Sequence, residues 1–100
     1  MGTVLVGARE LATYQKNPGV ILVDLRERED YRKEHLAGAI NIPYDELVNS
    51  MKTLPKDKLI ILCCYYGNHS LRATRLMEKE GYRIASLTGG YQAVKELTGN

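Results

Sequence analysis

A chain of 100 residues is long enough for one compact domain with one hydrophobic core and too short for two, so residues 1–100 are read as a single domain. Apolar residues make up 44% and charged residues 26%, the balance of a globular protein, which excludes disordered, fibrous and membrane classes. A net charge of +2 is too small to point to nucleic acid, and no run nears the roughly 20 apolar residues that cross a bilayer. The opening Met1-Gly2-Thr3-Val4-Leu5-Val6-Gly7 has no cation before its short apolar stretch, unlike a signal peptide, and a cytoplasmic location is the expectation.

Val4 to Val6 reads as a short strand and Ala8 to Tyr14 as a helix anchored by Leu11, stopped by Asn17-Pro18-Gly19. Val20-Ile21-Leu22-Val23 is a continuous apolar run, as expected of a strand buried on both faces of a sheet, and it ends at Asp24. The charged run Arg26 to Glu34 predicts a solvated face, with a short surface helix over Glu27 to Glu34. His35 to Ala39 forms a connection, with His35 a structural hydrogen-bonding residue, and Ile40 and Ile42 mark a brief strand stopped by Pro43. Tyr44 to Met51 predicts a helix with Leu47 and Val48 inward. Leu59 to Cys63 is the best central strand. A polar loop, Cys64 to Ser70, leads into a helix on which Ala73, Leu76 and Met77 share a face, with Gly81 as its cap. Arg83 to Leu87 reads as the last strand, Thr88-Gly89-Gly90 as a loop, and Tyr91 to Leu97 as a closing helix with Tyr91, Val94 and Leu97 inward. Strands alternating with helices indicate an α/β fold built on a parallel sheet.

The chemistry gathers where the central strand ends. Ligand sites of open α/β sheets lie beyond the carboxyl ends of the strands, and Cys64 is placed there. A loop turning into a helix start aims backbone N–H groups at one point, which favours negative charge, so a sulfur held there is expected to ionise below the free-thiol value. The adjacent pair Cys63 and Cys64 does not suit an ordinary disulfide, because neighbouring Cα atoms sit about 3.8 Å apart. Strand alternation lets one of the two face the pocket. Cys64 begins the polar loop and is the expected nucleophile; Cys63 completes the apolar run and reads as core, with a resolving thiol as its second reading. His69, Arg72 and Arg75 add positive potential if they face the loop, or else point to solvent; for His69, contact with substrate and a plain surface position stand side by side.

Several segments together resemble one family. Val23-Asp24-Leu25-Arg26, Tyr31 and His35-Leu36-Ala37-Gly38-Ala39-Ile40-Asn41-Ile42-Pro43 are similar to the front-half signature of rhodanese domains. Cys64-Tyr65-Tyr66-Gly67-Asn68-His69-Ser70 resembles the active-site loop of single-domain bacterial thiosulfate sulfurtransferases, and Gly81-Tyr82 with Leu87-Thr88-Gly89-Gly90 resembles the family's last strand and double-glycine loop. The resemblance runs from about Ala8 to Leu97. It implies a three-layer α/β/α domain with a five-stranded parallel sheet, in which Cys64 takes a sulfane sulfur from a small anionic donor, thiosulfate or a persulfide, and passes it to a thiol or cyanide. It further implies that amides from Tyr65, Tyr66, Gly67, Asn68, His69 and Ser70 cradle the transferred sulfur. Asp24, Arg26, Gly89 and Gly90 would support the site, with no cofactor, no metal and a sulfur-relay protein as a further partner. Many relatives carry Arg where this chain has His69, which weakens the expected grip on a sulfonate.

Two other classes compete. A cysteine-based phosphatase or arsenate reductase uses a similar anion cradle, but places Arg six positions after its nucleophile; here Ser70 follows Cys64 and His69 follows Cys63 at that spacing. A non-catalytic binding or sensing module on the same fold is the other. Metal capture by the vicinal thiols has no second Cys or His pair to complete a coordination shell.

Overall fold

The computed structural model describes residues 4–65 and 68–98, apart from the side chain of Asn68. Its strands are β1 (Val4–Val6), β2 (Val20–Asp24), β3 (Ile40–Asn41), β4 (Leu59–Cys63) and β5 (Arg83–Leu87). Among the described residues they form one parallel sheet in the order β1-β5-β4-β2-β3. The helices are α1 (Leu11–Gln15), α2 (Arg28–Lys33), α3 (Leu47–Ser50), α4 (Asn68–Lys79) and α5 (Gly90–Thr98).

The continuous apolar strands are buried on both sides because their side chains alternate between two cores. Ile60, Leu62 and Cys64 pack with Leu47 of α3 and with Ala73 and Met77 of α4. Ile61 and Cys63 pack on the opposite face with Leu11 of α1 and Tyr91 of α5. The architecture is therefore the three-layer α/β/α arrangement with five parallel strands. Chain direction places the site. From β2 the chain crosses to β3 on one side, and from β4 it crosses to β5 on the other, so the crevice between β2 and β4 is a topological switch point. Asp24 and Cys63 are partners in register at the carboxyl ends of those strands.

α4 ends as its glycine predicts. Gly81 has φ +91°, its N–H donates to the Glu78 carbonyl, and the Tyr82 N–H reaches back to the Met77 carbonyl. This is a Schellman motif, closed by packing of Tyr82 and Met77 in the same core.

Four expectations are corrected. Val48 is 55% exposed, because the predicted helix is a single α-turn flanked by 3-10 turns at Tyr44–Glu46 and Met51–Thr53, and the inward stripe becomes Leu47, Met51 and Leu54. Leu76 is exposed, because the buried stripe of α4 runs through Ser70, Ala73, Thr74 and Met77. Leu97 is exposed in the last turn of α5. Arg26 does not belong to a solvated face: it precedes α2 and is buried against Asp24.

Candidate active site

Leu25 and Arg26 leave the end of β2 beside Cys64 at the end of β4, joined by a 2.7 Å hydrogen bond from the Leu25 N–H to the Cys63 carbonyl. Cys64 lines a cavity of about 260 Å³ together with Arg26, Tyr44, Tyr65 and His69, and Glu27, Asp30 and Asp45 are also among its lining residues. Cys64 is more enclosed than its loop position suggests, at 5% exposure, and packs in the α3/α4 core while it lines this cavity. The sulfur also lies beside the first turn of α4, with Sγ 3.8 Å from Ser70 Oγ, and Ser70 Oγ is held 2.6 Å from Ser86 Oγ of β5. A helix start carries roughly half a positive charge, which favours an anion at this point.

Cys63 occupies the opposite environment. It is fully buried in the α1/α5 core, and burial, followed by the charge of Asp24, pushes its thiol well above the usual range. A thiol kept neutral and enclosed is inert, in line with its reading as core. Neither cysteine forms a disulfide.

The loop after Cys64 is fixed by α5. The N–H groups of Tyr91 and Gln92 donate to the carbonyls of Cys64 and Tyr65 at 2.8 and 2.9 Å, so loop carbonyls satisfy the orphan donors of the helix start. The Cys64–Tyr65 peptide is trans and planar, so with its carbonyl drawn to α5 its N–H points the other way. Gly90 makes this approach possible, while Gly89, with φ +74°, turns the chain into α5 where a Cβ would meet Ala93. Gly90 has φ +63°, and a Cβ there would lie 2.3 Å from the Cys64 carbonyl oxygen and 2.7 Å from that of Tyr65. Gly90→Ala is accordingly expected to destabilise the domain by about 2–4 kcal/mol through left-handed strain and displaced backbone. Urea denaturation of the variant checks this, and a loss below about 1 kcal/mol would contradict the close packing.

Asp24 and Arg26 form a bidentate ion pair, with Nε 3.1 Å from both carboxylate oxygens and Nη2 2.9 Å from Oδ2. The Arg26 N–H also donates to Asp24 Oδ1, and Nη2 donates to the Glu34 carbonyl at 2.7 Å. The guanidinium lies 4.0 Å from the ring centre of Tyr91. Burial disfavours its charge, but the hydrogen bonds and charge of Asp24 outweigh this and the guanidinium is held above its usual range. Burial, then hydrogen bonding to Glu34, pushes the Tyr91 phenol up to about 12, so it stays neutral.

The structure thus brings Asp24, Arg26, Cys64, Tyr65, Ser70, Gly89 and Gly90 together. His69 is exposed and stacks on Tyr44 at 4.4 Å between ring centres, so it lies at the mouth. Tyr65 is 42% exposed and meets Tyr91 edge-on. Arg72 and Arg75 are exposed and border a surface groove that adjoins the Cys64 cavity at His69, without lining that cavity themselves. Tyr66 and Gly67, and the side chain of Asn68, lie outside the described residues. Sequence reasoning missed Ser86, Tyr44 and Tyr91 as parts of the site. Ser86 could have been found as the one hydroxyl in the apolar strand Ile84-Ala85-Ser86-Leu87, since a buried hydroxyl needs a partner.

The tRNA sulfurtransferase of Pyrobaculum aerophilum is 36% identical over 76 residues, which cover 76% of this chain and 16% of that much longer protein. The thiosulfate sulfurtransferase GlpE of Coxiella burnetii is 26% identical over 81 residues, covering 80% of this chain and 76% of its own. Among solved structures, a rhodanese-related protein from Thermoplasma volcanium superposes with a TM-score of 0.87 at 30% identity, over 94% of this chain and 92% of that one. The profile of the rhodanese-like domain matches residues 7–97. The chain therefore belongs to the rhodanese-like domain family, whose sulfurtransferase members are among its relatives.

Proposed function

We propose that this domain is a sulfurtransferase in which Cys64 shuttles a sulfane sulfur as a persulfide, from thiosulfate or a small persulfide to a thiol or cyanide acceptor. The observation that carries the reading is the separation of two adjacent thiols: Cys64 borders a cavity at the switch point beside the start of α4, while Cys63 is sealed in the opposite core. Sulfurtransferases among the relatives support the same chemistry. The Cys64 thiolate attacks the outer sulfur of thiosulfate, the S–S bond breaks, and sulfite leaves with the bonding pair. An acceptor thiolate or cyanide then attacks the terminal sulfur of the persulfide, and the Cys64 thiolate departs with the electrons of the broken S–S bond. Asp24, Arg26 and the Gly89-Gly90 turn act as positioning residues, since they fix the wall and the backbone around the reacting sulfur.

The test is direct. Protein incubated with excess thiosulfate or a small persulfide is expected to gain one sulfur by intact mass, located to Cys64, and to lose it to cyanide with formation of thiocyanate. Failure of every donor to load the protein would reject the reading. A sulfur-relay protein as physiological partner belongs to the same proposal, and a purified acceptor protein that discharges the persulfide would identify it.

A further inference from the structure

The cavity bordered by Cys64 is one-sided in charge. Glu27, Asp30 and Asp45 line it from the loop after β2, from α2 and from the 3-10 turn before α3; all three are exposed, and none makes an ion pair among the described residues. The basic residues of the lining are Arg26, whose charge is already bound bidentately by Asp24, and His69, stacked on Tyr44. The loop itself cannot restore the balance, because Tyr65 to Ser70 contains no Lys or Arg. Arg72 and Arg75 do not line this cavity; they border the adjoining groove, with which it shares His69. The helix start of α4 acts at short range on whichever sulfur reacts, whatever the donor. The remainder of a donor reacting at Cys64 would occupy the cavity that the three carboxylates line.

We propose, resting on the sulfurtransferase reading, that Glu27, Asp30 and Asp45 select the sulfur donor, favouring a small persulfide that carries an ammonium group over dianionic thiosulfate. In the favoured step the Cys64 thiolate attacks the terminal sulfur of the protonated persulfide R–S–SH. The S–S bond of the donor breaks, the persulfide Cys64–S–SH forms, and R–S⁻ leaves with the bonding pair, its ammonium group attracted by the carboxylates. At a separation of about 8 Å in water and physiological salt, each carboxylate slows loading by a dianion about twofold, and the three together about eightfold. They favour a monocation about two- to threefold in all, so the combined discrimination is about 20-fold.

Cysteamine persulfide and 3-mercaptopropionate persulfide, which differ chiefly in exchanging an ammonium for a carboxylate, are the probes, with thiosulfate as the third donor. Single-turnover loading of Cys64 is followed by intact mass in the full chain and in the Glu27→Gln, Asp30→Asn, Asp45→Asn triple variant. The variant is expected to load from thiosulfate about eightfold faster and from cysteamine persulfide two- to threefold slower. Raising ionic strength should move the unsubstituted protein in the same two directions, which gives a measurement independent of the variant's folding. Rates that shift together for all donors, or that ignore both charge and salt while Cys64 still loads, would overturn this selectivity alone. No loading from any donor would overturn the sulfurtransferase reading and the selectivity with it.

Discussion

Cys64→Ser is expected to abolish sulfur uptake, lowering turnover with any donor by at least about 10³-fold, because a hydroxyl in place of the reacting thiolate removes the covalent intermediate outright. Cys63→Ser is expected to keep uptake and lose stability instead, by about 1–3 kcal/mol, since a hydroxyl would enter an apolar core where the fully buried sulfur now packs. Both thiols are buried, and what distinguishes them is the core each packs in and the cavity that Cys64 lines. Intact mass after donor treatment reads the first effect, and urea denaturation the second. Uptake retained by Cys64→Ser and lost from Cys63→Ser would transfer the chemistry to the wrong face of the sheet and sink the assignment.

Asp24→Ala should be the most damaging change away from the nucleophile. Asp24 is 1% exposed and Arg26 8%, and the carboxylate accepts from the guanidinium and from the Arg26 backbone N–H. Removing it leaves a buried guanidinium with the Glu34 carbonyl and the Tyr91 ring as its remaining company, at an expected cost of about 3–5 kcal/mol. A domain of this size would lose roughly 10 °C or more in Tm. Combining Asp24→Ala with Arg26→Met should recover part of the loss, because the stranded charge, and not the missing contact, dominates the penalty. Equal stability of the single and double variants would show that the ion pair does not carry the energy assigned to it. Sulfur loading should fall in the single variant as well, since Arg26 forms part of the cavity wall beside Cys64.

The two apolar runs at Val20 to Val23 and Leu59 to Cys63 were legible because a strand buried on both faces needs no alternation, and the carboxyl end of the second pointed to the candidate site. Gly81 was legible for a similar reason, as a residue free to take the left-handed conformation that ends a helix. Residues whose roles depend on a partner distant in the chain were not. Arg26 sits in a charged run and reads as solvated until Asp24 and Tyr91 close around it. Val48 and Leu76 are apolar and near helical spacing, yet which way they turn depends on short 3-10 turns and on a stripe that admits Ser70 and Thr74. His69 could be assigned to substrate or to surface from sequence; its stack on Tyr44, 25 residues earlier, puts it at the rim.

The pairing of the Tyr91 and Gln92 amides with carbonyls from the neighbouring segment makes that helix a built-in gauge of its neighbour. Those two hydrogens exchange with deuterated water when the Cys64 and Tyr65 carbonyls and the first turn of α5 part, so their protection measures how often this contact opens. A cargo atom that tightens this stretch would slow exchange at two positions in α5, giving a spectroscopic record of occupancy without a reporter on the cysteine itself.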